Sequence, residues 1–208
     1  MNKKFLILFC IFSLAVFSAC DKKPATADKT ASAQPEVKKG VAPVADNEIA
    51  VIEMEEAAYG TIKIELYSNI APKAVARFKE LANEGFFSGT TFHRINDSVI
   101  QGGDPLSKDD NPANDGTGKS DKPNVDAELS DIPYDTGIVG AARGPDFNSA
   151  NSQFFITLRR QSGFDNKYTI FGKVIDGMSY AKTIAGAPKN GERPLEDIKI
   201  KQVTIQPK

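Results

Sequence analysis

The sequence predicts a mainly β domain, a closed antiparallel barrel with two α-helices packed outside it. Three observations carry that reading. Apolar or alternating runs of strand length recur after residue 49 and are bounded by Gly, Asn, Asp and Pro. The runs are short, numerous and in an antiparallel order. Two segments place apolar residues at helical spacing.

Taken in order, "GTIKIELY" alternates, with Ile62, Ile64 and Leu66 on one face and Lys63, Glu65 and Tyr67 on the other, the mark of a half-buried strand. "APKAVARFKELANEG" follows. Pro72 suits a first helical turn, Val75, Phe78 and Ala82 share a face with Leu81 beside them, and Gly85 fits a C-terminal cap. "SQFFITL" and "YTIFGKVI" are apolar, β-rich runs. "MSYAKTIAG" spaces Met178, Ala181 and Ile184 as a helix, with Gly186 as its stop. "IKIKQVTI" closes the chain as a strand whose apolar phase shifts at Lys201-Gln202, which predicts a bulge. Between these lies a long Gly-, Asp-, Asn- and Pro-rich middle, residues 102–137, and the chain has no internal repeat.

The N-terminus reads as targeting rather than fold. Asn2-Lys3-Lys4 is a short positive region, and Phe5 to Phe17 is an apolar run of signal length, too short to span a bilayer as a finished helix. "FSAC" then resembles the lipobox of bacterial lipoproteins, in which the cysteine, here Cys20, takes the lipid and becomes the first mature residue. Phe17 stands where leucine is preferred, and an ordinary signal cut by the general signal peptidase is the alternative. Residues 1–19 are thus expected to be a lipoprotein signal peptide, 20–48 a disordered tether and 49–208 the folded domain. Residues 21–47 are rich in Ala, Lys, Pro, Asp and Thr and lack large apolar side chains, so burial would not offset the entropy of ordering them. As a flexible coil they would span roughly 30 Å and hold a domain off a membrane. The expected location is a bacterial cell envelope, lipid-anchored, facing the periplasm or the outer surface.

Composition narrows the chemistry. The 208 residues, 22.5 kDa and 40% apolar content suit one ordinary domain plus an extension. The formal charge of −1 suggests no nucleic-acid partner. Without residues 1–19, which hold two lysines and no acids, it becomes −3. The two cysteines, Cys10 and Cys20, both fall in the targeting region, which leaves no disulfide, thiol nucleophile or cysteine metal site in the body. "GTGKS" at 116–120 looks like the end of a phosphate loop, but Ala113 stands where the first glycine is needed and no strand precedes it, so it is a loop. "SKDDNPANDG" lacks calcium-loop spacing, and with one histidine no metal or cofactor is expected. A Ser-His-Asp triad would need His93 as base, and no serine has a nucleophile-elbow context.

The polar equipment that remains is concentrated in "FHRINDSVIQGGDP", residues 92–105: His93, Arg94 and Gln101. "YGTIKIELYSNIAPKAVARFKELANEGFFSGTTFHRI", "IQGGDP", "NSQFFITL" and "FDNKYTIFGKVIDGM" together resemble the cyclophilin family of peptidyl-prolyl isomerases over about residues 50–207. The resemblance implies an eight-stranded antiparallel barrel capped by two helices. It implies Arg94 as the catalytic arginine, Gln101 as the glutamine that orients it and contacts substrate, and Phe155 as the floor of the proline pocket. Phe164 and Tyr168 match its far wall, where the family has leucine and histidine. Ala142, Arg143 and Gly144 match the strip along which the residue before proline lies, and His93 matches a structural histidine. The partners it implies are proline-containing polypeptides, bound by a monomer.

Such a site needs no nucleophile. The barrier of about 18–20 kcal/mol to rotating an X–Pro bond is amide resonance. A catalyst binds the twisted amide, whose proline nitrogen regains a lone pair, better than the planar forms. A permanently charged, rigid fork of donors suits that task, beside an apolar cup for the ring.

Three departures from the family stand out. Arg94 to Gln101 is seven steps where the family has eight. The simplest alignment puts Ser98 and Val99 where phenylalanine and methionine are expected, so Val99 is a pocket candidate and Ser98 a lost wall. Gly163 replaces a tryptophan that contacts cyclosporin, so weak binding of that drug is expected. Two functions follow: a membrane-tethered isomerase assisting exported proteins, or a proline-segment binding module or chaperone with weak catalysis.

Overall fold

The computed structural model describes residues 34–208. Residues 1–19, Cys20 and the first part of the expected tether lie outside the described residues. In chain order the elements are β1 (Val37–Lys38), β2 (Glu48–Met54), β3 (Thr61–Leu66), α1 (Pro72–Asn83), β4 (Arg94–Ile95), β5 (Val99–Gly102) and β6 (Leu129–Ser130). There follow β7 (Ile138–Ala141), β8 (Phe154–Thr157), β9 (Ile170–Asp176), α2 (Met178–Ala185), β10 (Lys189–Asn190), β11 (Arg193–Pro194) and β12 (Ile200–Pro207).

Eight strands form one antiparallel sheet in the order β12-β2-β3-β9-β7-β8-β5-β4. The fold is mainly β with two helices, as expected, but the sheet is an open half-barrel rather than a closed barrel. Its edges, β12 and β4, do not pair as a ladder. β4 has only two residues, and the Ile95 N–H that could extend it is taken by the Glu192 carbonyl between β10 and β11 (2.6 Å). Contact across the gap is limited to the single bridge of Thr91 with Lys199 and a few neighbouring bonds, such as Phe92 N–H to the Ile198 carbonyl (3.0 Å).

The helices follow their sequence signals closely. At the start of α1 the Glu128 carboxylate accepts from the Lys73 and Ala74 amides (both 3.0 Å), placing an anion at the positive end of the helix. At its end Gly85 takes φ +69°, the Phe86 N–H reaches the Leu81 carbonyl (2.9 Å) and the Gly85 N–H reaches that of Ala82 (3.0 Å), a Schellman closure. α2 begins after Gly177, at φ +87°. A Cβ there would lie 2.2 Å from the Thr61 carbonyl oxygen, so only glycine lets helix and strand approach. The predicted irregularity in the last strand is present, as a register shift between Ile200 and Gln202.

The large core gathers Ile62, Ile64 and Leu66 of β3, Val75, Phe78 and Leu81 of α1, and Ala181 and Ile184 of α2. A smaller cluster holds Tyr67, Ile70, Val99, Tyr134, Ile138, Phe155 and Ile170.

The expected tether is corrected at its C-terminal end. Residues 37–47 lie along the domain as a strap. β1 pairs in parallel with β6, Lys38 Nζ donates to the Ile70 carbonyl (2.7 Å), and Asn69 bonds the backbone at both Ala42 (2.9 Å) and Val44 (3.0 Å). Asp46 accepts from the Ser68 hydroxyl (2.7 Å) and Lys79 (2.9 Å), and Ala45 packs on the smaller cluster. These contacts are mostly polar, so a segment poor in large apolar side chains is ordered without a core of its own.

Candidate active site

Cross-strand register assembles the site. Arg94 on β4 stands opposite Gln101 on β5, Gln101 opposite Phe155 on β8, and Phe155 opposite Gly140 on β7. Directly opposed residues of antiparallel strands share a face. One row across four strands therefore carries a cation, an amide and an aromatic ring side by side.

The hairpin that carries Arg94 and Gln101 is tight. The Asn96 N–H bonds the Val99 carbonyl (3.0 Å), and Asn96 Oδ1 accepts from the Ser98 and Val99 amides (2.8 and 2.9 Å). Asp97 and Ser98 form the tip of the turn. Ser98 supplies no pocket wall, because its hydroxyl accepts from the Arg159 guanidinium (2.9 Å from Nη2). Val99 does turn inward, 3% exposed, into the cluster that contains Phe155.

Phe155 is the hub of that cluster. Phe164 meets it edge-on at 5.5 Å and Tyr168 at 5.6 Å between ring centres, and the two rim rings lie 5.1 Å apart. Beneath it Tyr134 stacks at 5.7 Å. Gly140 makes this possible, since a Cβ there would stand 2.5 Å from the Phe155 ring and 2.6 Å from the Tyr134 hydroxyl. Phe164 and Tyr168 remain partly exposed, so the cup has an open rim.

Arg94 is fixed from two sides. Nη1 donates to Gln101 Oε1 (3.2 Å) and Nε to Glu192 Oε2 (2.7 Å). Gln101 in turn donates to Gln153 Oε1 (2.9 Å), and Gln153 Nε2 donates to the Gly116 and Gly118 carbonyls (3.1 and 2.8 Å). The "GTGKS" segment is thus the loop that buttresses Gln153, and Asp104 holds it from below by accepting from the Gly116 and Gly118 amides.

Beside the cup runs a groove of about 350 Å³ lined by Gln101, Lys119, Ala142, Arg143, Gly144 and Gln153. Arg143 forms its wall, with its guanidinium 4.2 Å from the Phe147 ring centre and 4.7 Å from that of Tyr168, and donates to the Lys167 carbonyl (2.8 Å). All the expected site residues other than Cys20 therefore converge on this face.

His93 does not join them. It is buried, and burial pulls its pKa below the usual histidine value against the opposing charge of Asp104 and the Thr91 backbone.

Sequence reasoning missed Gln153, Glu192 and Tyr134. Gln153 was reachable, since it lies two residues before Phe155 and alternation puts both on one face. Glu192 is 98 residues from Arg94 and carries no local signal.

A family model described as "Cyclophilin type peptidyl-prolyl cis-trans isomerase/CLD" matches residues 51–205. The chain is 39% identical over 154 residues to peptidyl-prolyl cis-trans isomerase-like 1 of Mus musculus, spanning 70% of this chain and 86% of that protein. It is 38% identical over 149 residues to a probable peptidyl-prolyl cis-trans isomerase of Brucella suis, spanning 66% and 76%. Among solved structures, a Cryptosporidium parvum cyclophilin type peptidyl-prolyl cis-trans isomerase, crystallised in the presence of the dipeptide Ala-Pro, superposes with a TM-score of 0.68 at 32% identity. That match covers 76% of this chain and 98% of the other. The chain belongs to the cyclophilin-type peptidyl-prolyl cis-trans isomerase family.

Proposed function

We propose that the chain rotates X–Pro bonds of exported polypeptides by stabilising the twisted amide with Arg94 above an apolar cup floored by Phe155. The observation that carries this reading is the cross-strand row of Arg94, Gln101 and Phe155. In it a rigid, permanently charged donor fork lies next to an aromatic floor, with an amide between them that both bonds the arginine and faces the groove. Phe155, Val99, Phe164 and Tyr168 grip the proline ring, and Ala142, Arg143 and Gly144 guide the residue before it. The chain on the other side of the bond turns while the ring is held. As the proline nitrogen pyramidalises, the guanidinium donors meet its lone pair and the neighbouring carbonyl, an interaction stronger in the twisted state than in either planar state. Proline peptides as ligands are supported by the Ala-Pro dipeptide named with the Cryptosporidium relative.

The test is Arg94→Ala, which should lower kcat/KM about 10²-fold or more, roughly 3 kcal/mol. Arg94→Lys should recover little, since lysine lacks the fork. Near-normal turnover by a folded alanine variant would sink the assignment. A second reading, a binding module with weak catalysis, draws support from Ser98, which is engaged with Arg159 where the family has an aromatic wall. Peptide binding without measurable isomerisation in the wild type would favour it.

The same proposal places the domain in a bacterial envelope. Residues 1–19 act as a lipoprotein signal, Cys20 takes the lipid, and the residues between Cys20 and the strap tether the domain. Support comes from the "FSAC" pattern alone. Cys20→Ser should move the protein from the membrane to the soluble fraction with folding unchanged. A wild type already soluble, with no lipid by mass spectrometry, would contradict it.

A further inference from the structure

The turn between β10 and β11 carries a carboxylate to Arg94. Glu192 follows Gly191, which takes φ +62°, and the Glu192 carbonyl accepts the Ile95 amide, tying this turn to the backbone of β4. Its two side-chain oxygens have separate duties. Oε2 accepts from Arg94 Nε at 2.7 Å, and Oε1 accepts from the Asn96 side-chain amide. Asn96 is also the residue that closes the shortened 94–101 hairpin through its Oδ1. One carboxylate thus locks the arginine and the turn beyond it into a single unit.

A guanidinium has five N–H donors in a plane. Glu192 uses the one on Nε and Gln101 one on Nη1, so among the described residues those on Nη2 meet no protein acceptor. The two contacts lie on different edges of the plane. Together they fix both its position and its tilt, which neither would do alone. A free arginine side chain samples many rotamers, all but one of which are lost when its fork is aimed at a substrate. Ordering it before substrate arrives removes that cost from the reacting complex. The pair is not there for stability. Its side chains are 45% and 51% exposed, and ion pairs so open to solvent contribute little.

Resting on the reading of Arg94 as the catalytic cation, we propose that Glu192 is a positioning residue for the isomerisation. It holds the guanidinium edge-on through Nε so that the Nη2 donors stay aimed at the reacting amide. If Glu192 only damped the field of Arg94, removing its charge would raise the rate. If it orients, any side chain that keeps an acceptor at the same reach preserves the rate.

The full-length protein and the variants Glu192→Gln, Glu192→Ala, Glu192→Asp and Arg94→Ala are assayed on a tetrapeptide with an Ala-Pro bond, with kcat and KM separated. The Arg94 Nε–H resonance is followed by ¹⁵N NMR. Glu192→Ala should lower kcat roughly tenfold with KM changed less than about twofold. Its Arg94 Nε–H signal should merge with those of exposed arginines, while the melting temperature stays put. Glu192→Gln, whose amide oxygen can still accept from Nε, should keep most of kcat and the resolved signal. Glu192→Asp, one methylene short, should resemble the alanine variant. Unchanged or raised kcat in Glu192→Ala, or an unmoved Arg94 signal, overturns the proposal. If that occurs while Arg94→Ala is inactive, only the role of Glu192 falls. If Arg94→Ala is itself active, the parent reading falls with it.

Discussion

Phe154 and Phe155 are neighbours on one strand and face opposite ways, and the clusters they enter are built on different rules. Phe154 joins the large core, where it meets Phe78 at 5.4 Å and Phe87 at 5.8 Å edge-on, among buried side chains that carry only carbon, hydrogen and a methionine sulfur. Phe155 joins the small cluster, which includes two tyrosines and whose rim residues, Phe164 and Tyr168, stay partly open to solvent. Inside it the Tyr134 hydroxyl is buried with no hydrogen-bond partner among the described residues. The large core is optimised for burial. The small one leaves apolar surface uncovered at its rim, and a ligand ring is what would cover it. Two residues in sequence thus enter a sealed core on one side of the strand and a cup open to solvent on the other.

The largest effect should come from breaking the pair one member at a time. Phe154→Ala removes a fully buried ring from the all-apolar core and should cost about 3–5 kcal/mol of stability, with kcat/KM of the remaining folded protein close to wild type. Phe155→Ala should cost less stability and most of the activity, because the floor of the cup is lost while its surroundings are already half open. Denaturant titration and a prolyl-peptide assay on both variants decide this. If Phe154→Ala inactivates the folded protein, or Phe155→Ala leaves turnover intact, the division of labour is wrong.

Next in size is a change at the rim. A Cβ on Gly163 meets no atom within 4 Å, so the backbone there has room for a side chain to start. Gly163→Trp should strengthen cyclosporin binding by about 1–3 kcal/mol, through added aromatic contact and an indole donor, with little change in kcat/KM. Tight binding of the drug by the wild type would show that this rim position does not face it.

The smallest effect probes the floor. Tyr134→Phe deletes a buried hydroxyl that has no partner among the described residues while keeping the ring that stacks on Phe155. It should be neutral or stabilise by up to about 1 kcal/mol, with activity retained. A loss of more than 1 kcal/mol in chemical denaturation would mean that the hydroxyl is bonded after all.

These contrasts also mark what could be read from the chain alone. The 3.6 and 2.0 periodicities gave both helices, the face of β3 and the irregularity at Lys201-Gln202, because each is a local steric rule. Arg94, Gln101 and Phe155 were legible through resemblance, and the register of three strands shows why they sit together. The strap was illegible because composition measures apolar burial, whereas residues 37–47 are held largely by backbone pairing and by Asn69, Ser68 and Lys79. The open edge was illegible for a related reason. It depends on a two-residue strand and on Glu192 in a short hairpin, features below the length at which a periodic pattern can be recognised.

The strap also sets how the domain would respond to force. A pull applied ahead of residue 37 reaches the β1–β6 pairing and the Lys38–Ile70 bond first, then Gly40 with Asp131, then Asn69, then Asp46. β2, the first strand of the main sheet in chain order, comes after all of them. These are single bonds of about 1 kcal/mol each, many at the solvent surface, and they can break one at a time and reform when the line slackens. Under such a pull the strap would come away before the hydrogen-bonded ladder that carries Arg94 and Phe155 is stretched.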